Sequence, residues 1–292
     1  MNIKITISIT LLFVNYGIGQ IKESEINGKW IKYKSEMKDG SKILPTPKSD
    51  STFLEISIKN SKLCFNSNPI YKTNEGCIDF SLKENTIKTS IESGYKIEKN
   101  TLDTLIICEK IDGLENDKLK RFYLVNDKIL YAKELEKRKE DKNIIATKLF
   151  TPKLNVGIEG EIFKVLKSDM SNFDLIGSLT IFPSKKLVTS DIDYSSTKKI
   201  SKLEIITTII DNSFNSWDLT NFEKFESIKI PFIFRSESTE IFKGIKMIFF
   251  TNNISEFDFV YRRKLEDMRK SGELFQKGIN AYSEKKYIKA AE

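Results

Sequence analysis

Between Gly28 and Ala132 the chain consists of short runs in which apolar and polar residues alternate, parted by small polar turns. Residues 28–33 form the first run. Residues 53–58 and 62–65 flank Lys59-Asn60-Ser61, and residues 77–82 and 86–89 flank Lys83-Glu84-Asn85. Residues 95–98 and 102–108 meet at Lys99-Asn100-Thr101, and residues 119–125 and 129–132 at Asn126-Asp127-Lys128. A period of two places alternate side chains on opposite faces of a strand, and turns this short can join only antiparallel neighbours. Residues 24–133 are therefore expected to form an antiparallel meander, as an up-and-down sheet or barrel.

The pattern changes after this region. Residues 134–150 begin with Glu-Leu-Glu-Lys-Arg-Lys-Glu-Asp-Lys-Asn, which reads as a charged connection between domains. In residues 151–253 an alternating run at 177–182 turns through Pro183-Ser184-Lys185-Lys186 into a second run at 187–193. A helix is predicted over 199–214, with Leu203, Ile206 and Ile210 on one face. Residues 227–235 alternate again and point Ile228, Ile230, Phe232 and Phe234 one way, and residues 245–251 can add a further strand. Two strands, a helix and a third strand make a small α+β layer. From Ser255 the spacing turns helical, with Phe257, Tyr261, Leu265 and Met268 in a stripe, so 254–292 is read as a helical segment. The fold class expected of the whole chain is α+β.

Residues 1–19 read as a cleaved secretory signal peptide, with Lys4 as the only charge, an apolar stretch at 5–14, and Gly17-Ile18-Gly19 before Gln20. That stretch is shorter than a membrane span of about 20 residues, and no later stretch is long enough, so no transmembrane span is expected in the mature chain. Its removal takes the formal charge from +7 to +6, since Lys4 leaves without an acid. Lys is spread along the chain among 41 acidic residues, whereas nucleic-acid binding calls for clustered cations; no nucleic-acid partner is expected. The chain contains no His, which removes Ser-His-Asp and Cys-His catalysis and His-bearing metal sites together. No cofactor or metal is expected. Cys64, Cys77 and Cys108 lack Cys-x-x-Cys spacing. Cys64 and Cys77 flank a loop and can bridge neighbouring strands; buried free thiols are the alternative.

Three resemblances add to this reading. Gly28-Lys29-Trp30 on the first strand, with Arg121 on a late strand, resembles the lipocalin-type barrel. The resemblance implies that Arg121 covers the Trp30 indole to close the barrel bottom, and that the barrel holds a small apolar ligand. The alternative is a filled barrel with Trp30 and Phe122 as core. Residues 155–235 resemble the C-terminal domain of the TonB energy-transduction family. Gly177, Phe182, Ser195-Ser196, Trp217 and Ile230-Pro231-Phe232-Ile233-Phe234 carry that likeness; the alternative is an unrelated α+β domain with Trp217 and Phe234 in its core. Residues 272–292 resemble the start of a tetratricopeptide repeat through Leu274, Gly278, Ala281, Tyr287 and Ala290, a repeat that the sequence leaves incomplete.

These features set the functional expectations. The first is an exported, periplasmic or secreted, non-enzymatic protein that docks an envelope protein or extended peptide. Ile228, Ile230, Pro231, Phe232 and Phe234 would form the docking edge, since Pro suits an edge strand. The second is a carrier of a small apolar ligand. A full TonB transducer is excluded, because six Pro cannot make its long Pro-rich spacer. An enzyme is not expected, because no spacing sets a nucleophile beside a base.

Overall fold

The computed structural model describes residues 21–41, 43, 53–72, 76–238, 243–255 and 272–283. The expected signal peptide, the stripe Phe257, Tyr261, Leu265 and Met268, and Tyr287 and Ala290 lie outside the described residues. The fold is α+β, and the chain divides into two compact units. The first takes Met1–Thr52, Ile56–Phe65 and Gly76–Asn126; the second takes Phe53–Glu55, Asn66–Glu75 and Asp127–Glu292.

In the first unit a helical turn, α1 (Glu23–Ile26), leads into β1 (Gly28–Met37), β2 (Glu55–Lys59) and β3 (Lys62–Asn66). Next come β4 (Gly76–Asp79), β5 (Ser81–Lys83), β6 (Thr86–Lys88), β7 (Ser93–Asn100), β8 (Thr104–Ile111) and β9 (Lys120–Asn126). The sheet order is β4-β3-β2-β1-β9-β8-β7-β6-β5. Its two end strands, β4 and β5, are separated in sequence by Phe80 alone. One run of chain therefore supplies both edges, and the sheet curls into a nearly closed barrel. This is the β meander expected of a lipocalin-like domain. Asn60 and Ser61 both have positive φ (53° and 56°), as do Glu84 and Asn85 (51° and 57°), the pairing that a two-residue hairpin needs to follow the strand twist. Leu63, Leu105, Ile107 and Leu124 are fully buried.

The second unit begins where the sequence led us to expect the last strand of the meander. Residues 129–132 belong instead to a helix, α2 (Asp127–Lys137). The run Ile-Leu-Tyr-Ala is too short for its period to separate helix from strand. Its neighbours decide: Lys133-Glu134-Leu135-Glu136-Lys137 are strong helix formers, and Glu134 pairs with Arg138 one turn on. Tyr131 and Leu135 share a face and pack on the core. Residues 134–150, read as a charged connection, hold the end of α2 and all of β10 (Asn143–Ile145).

The remaining elements are β11 (Lys153–Leu154), α3 (Ile158–Leu166), β12 (Phe173–Phe182), β13 (Leu187–Ser195), α4 (Ile200–Asp211), β14 (Trp217–Asp218), β15 (Ser227–Ser238) and β16 (Lys243–Phe249). The main sheet has the order β10-β15-β12-β13, with β16 also pairing β15. α3 buries Ile158, Ile162 and Leu166, and α4 buries Ile206 and Ile210, in one core with Leu175, Leu179, Ile181 and Val188. Each such side chain, taken out of water, stabilises the unit by about 1.5–3 kcal/mol before entropy is counted. Gly177 is required where β12 bulges against β13: a Cβ there would lie 2.3 Å from the Asp191 carbonyl oxygen. Lys202 on α4 is only 1% exposed, yet its ammonium donates to the Asp169 carbonyl and to Ser171 Oγ, which ties the α3–β12 connection to α4.

Residues 66–72 also belong to this unit. Ile70 is fully buried in the core, and its carbonyl accepts from Leu154 N (2.6 Å), while Lys72 N donates back to the Leu154 carbonyl (3.0 Å). Lys72 pairs with Asp218 at 2.7 Å and is the main reason that this carboxyl is held down at about 2. Residues 272–283 are helical, with Leu274, Phe275, Ile279 and Tyr282 exposed. No helix among the described residues is long and apolar enough to cross a membrane.

Candidate functional site: the mouth of the barrel

One end of the barrel is closed by α1. Ser61, in the β2–β3 turn, donates from N and Oγ to the Glu23 carboxylate (2.7 and 3.0 Å). Ile21 N donates to Asn85 Oδ1 in the β5–β6 turn (2.9 Å), and Asn100, beside the β7–β8 turn, reaches the Glu25 carbonyl (3.4 Å). These three turns lie at the same end of an up-and-down meander, so α1 lies across it. Ile26 is fully buried there, and the Trp30 indole donates to its carbonyl at 2.8 Å. The Gly28-Lys29-Trp30 motif thus has a structural basis: Gly28 has φ +144°, which other residues rarely adopt, and lets the chain turn from the plug into β1.

Arg121 does not take part in this closure. Trp30 is opposite Asn126, whereas Arg121 is opposite Glu36, near the other end of the same strand pair. The barrel-closing pair expected of Trp30 and Arg121 is therefore corrected; an α1 carbonyl is the indole's partner. Phe122 faces inward, so its neighbour Arg121 faces outward. Arg121 pairs there with Glu36 (3.2 Å) and Glu98 (2.6 Å). Glu36 also accepts from Lys34 (2.6 Å) and the Tyr123 hydroxyl (2.5 Å). Lys34 above all, with Tyr123 and Arg121, holds the Glu36 carboxyl down at about 2.

At the opposite end three aromatic side chains meet. The Phe65 and Tyr95 ring centroids are 6.3 Å apart, and those of Tyr95 and Phe122 are 6.4 Å apart, edge-on. Phe65 is on β3 and Tyr95 on β7, with four strands between them in the sheet order, so their rings can meet only across the interior. Phe122 is in register with Ile107 and Ser35, both buried, on the same inward face. The three rings are half-buried, in contrast to the fully buried Leu63, Leu105 and Leu124. Burial first, and then the charge of Glu109 opposite it, push the Tyr95 phenol above its ordinary pKa. This end also carries Ile91 (92% exposed) and Leu114 on its loops, and Ile111 at the close of β8. The arrangement is an apolar, aromatic opening with a hydroxyl and a carboxylate at hand. Nothing local in the sequence marks Phe65 and Tyr95 as partners, because only closure of the sheet brings their strands face to face.

The expected peptide-docking strand stands elsewhere and is not an edge. β15 pairs with β12 from Ile228 to Ser236 on one side. On the other side it pairs with β10 from Ser227 to Lys229 and with β16 from Phe232 to Ser238. Ile228, Ile230, Phe232 and Phe234 are fully buried core, so an extended peptide has no place to add there. Pro231 is tolerated in a central strand because it falls in the gap between the β10 and β16 pairings, where its carbonyl accepts from Phe250 N (2.7 Å). Trp217 is likewise core, its indole donating to Ser213 Oγ (3.0 Å). Among the described strands, none pairs with the outer side of β13.

Cys64 and Cys77 are opposite each other in the β3–β4 register and are joined by a disulfide, while Cys108 is a buried free thiol. Compared with known proteins, the chain matches no family model, no curated protein and no solved structure.

Proposed function

We propose that this protein is an exported, non-enzymatic carrier that holds a small apolar molecule at the mouth of its barrel. The observation that carries the reading is the meeting of Phe65, Tyr95 and Phe122 across the interior, at the end away from the α1 plug. Half-buried rings offer flat apolar surface for stacking, and a few polar groups beside them fix orientation. Because Trp30, Leu105 and Leu124 fill the deeper interior, the ligand occupies the mouth rather than the full length of the barrel. Export is supported by the leader-like residues 1–19 and by a disulfide suited to an oxidising compartment.

The test is native mass spectrometry of the protein from its own cell envelope, followed by titration of the delipidated protein with the extracted molecule or a fluorescent apolar probe. Phe65→Ala and Phe122→Ala should each weaken binding by about tenfold, equivalent to about 1.4 kcal/mol. Equal affinity in wild type and both variants would sink the reading.

A second reading, docking of an extended peptide, keeps one observation in its favour. β13 offers an outer edge with Leu187 and Tyr194 exposed, within the hairpin–helix–strand order that the TonB-like resemblance implies. Strand addition would then use β13 rather than β15. In the same mass spectrum this reading expects a co-purifying polypeptide where the carrier reading expects a mass of a few hundred daltons.

A further inference from the structure

We propose that the Cys64–Cys77 disulfide is a thiol–disulfide exchange site that latches the seam of the barrel, and that a small dithiol reductant opens it. The barrel closes only because residues 76–83 serve as both of its edges: β4 pairs with β3, β5 pairs with β6, and Phe80 is the joint between them. β4 is the weak half of that closure. None of its four residues is buried, and Ile78, in register with the fully buried Leu63, is 42% exposed. β4 is tied to β3 by a four-residue ladder, an exposed Lys62–Asp79 pair at 3.5 Å and, just past its end, the N–H of buried Phe80 donating to the Ser61 carbonyl (2.9 Å); the Cys64–Cys77 bond is its covalent tie, toward the opposite end of the strand. A covalent link at the least packed point of a closed sheet sets whether that point can part.

The two sulfurs differ in access. Cys64 is buried, whereas Cys77 is exposed, so an incoming thiolate meets Cys77 first. The dithiol's thiolate attacks Cys77 Sγ, forms a mixed disulfide and expels the Cys64 thiolate, which takes up a proton. The dithiol's second thiol then attacks the mixed disulfide, leaves as a cyclic disulfide and releases Cys77 as a thiol. Two electrons and two protons pass from the dithiol to the protein. β4 is then held by its ladder and by Phe80 at one end, and β3 and β4 part from the Cys77 end, beside the inward-facing Leu63 and Phe65. This inference stands whether or not the mouth carries a ligand.

The fold contains its own control. Cys108 is buried on β8, away from the seam and in register with the outward-facing Arg121, so parting of the seam does not uncover it. The experiment treats the full chain with dithiothreitol under native conditions, alkylates it, and measures amide exchange strand by strand; a Cys64→Ala/Cys77→Ala variant is measured without reductant. The expected result is alkylation of Cys64 and Cys77 with Cys108 untouched. Amide exchange should be about tenfold faster in β3 and β4, unchanged in β8 and β9, and the same in the double variant. The inference is overturned by labelling of all three cysteines together, which makes the disulfide a plain structural staple. It is overturned equally by a disulfide that resists native reduction, or by reduction that leaves exchange in β4 unchanged.

Discussion

The two units bury their apolar residues by different means. In the barrel the sheet is its own second layer: Leu63, Ile97, Leu105, Ile107 and Leu124 are buried against residues from other strands of the same sheet. In the second unit the sheet stays open, and α3 and α4 supply the other half of the core through Ile162, Leu166, Ile206 and Ile210. The consequences are opposite. A closed sheet hides its edges but must seal a seam, and here the seam rests on an exposed four-residue strand and a disulfide. An open sheet has no seam but keeps an edge, at β13. The weak point of each unit thus follows from its topology rather than from its composition.

The largest expected effect separates the two cores. Phe234→Ala should cost the second unit about 3–5 kcal/mol and Leu105→Ala should cost the barrel about 2–5 kcal/mol. In calorimetry each change should lower one transition and leave the other in place. A single transition lowered by both would mean that the two units melt as one. It also follows that polar changes at Phe232 or Phe234 report on stability and not on peptide docking.

A smaller effect sharpens what the helices contribute. Lys202→Met keeps the buried stem but leaves the Asp169 carbonyl and Ser171 Oγ without their donor. The expected loss is about 1–3 kcal/mol, read as a shift in the second unit's denaturation midpoint. An unchanged midpoint would show that water replaces the ammonium at no cost.

The smallest effect is electrostatic and lies on the barrel wall. The Glu36 carboxyl titrates at about 2 in the fold against an ordinary 4.5. A lowered folded value favours the fold fully above about 4.5, and that contribution is lost as pH falls toward about 2. Wild type should therefore lose more stability than Glu36→Gln between about pH 6 and pH 3 in urea titrations. Equal losses would show that the Lys34, Tyr123 and Arg121 contacts do not persist in solution.

Much of the secondary structure was legible because it depends on near neighbours in the chain. The turns at Asn60-Ser61 and Glu84-Asn85 fall where small polar residues interrupt alternation, and β12, β13, α4 and β15 occupy the runs that their periodicity marks. Residues 129–132 carry the alternation of a strand but belong to α2, because a short apolar run fits either period. The candidate site was barely legible. Trp30 was recognisable from its motif, but its pairing with Arg121 presumed a register, and the actual register sets Arg121 against Glu36.

What the sequence by itself determined is the menu of elements: alternating antiparallel runs in the first part of the chain, a layered α+β unit after them, and a chemistry without histidine. Only the tertiary structure decided which strands are edges. Pro231 suited an edge by its own chemistry, yet it lies in a central strand because two short strands share one side of β15 and leave a gap at that residue. Phe65 and Tyr95 became neighbours because residues 76–83 carry the sheet around to meet itself. Alternation reports which face a side chain takes, since that depends on the next residue. It does not report what lies across that face, since that depends on strands dozens of residues away.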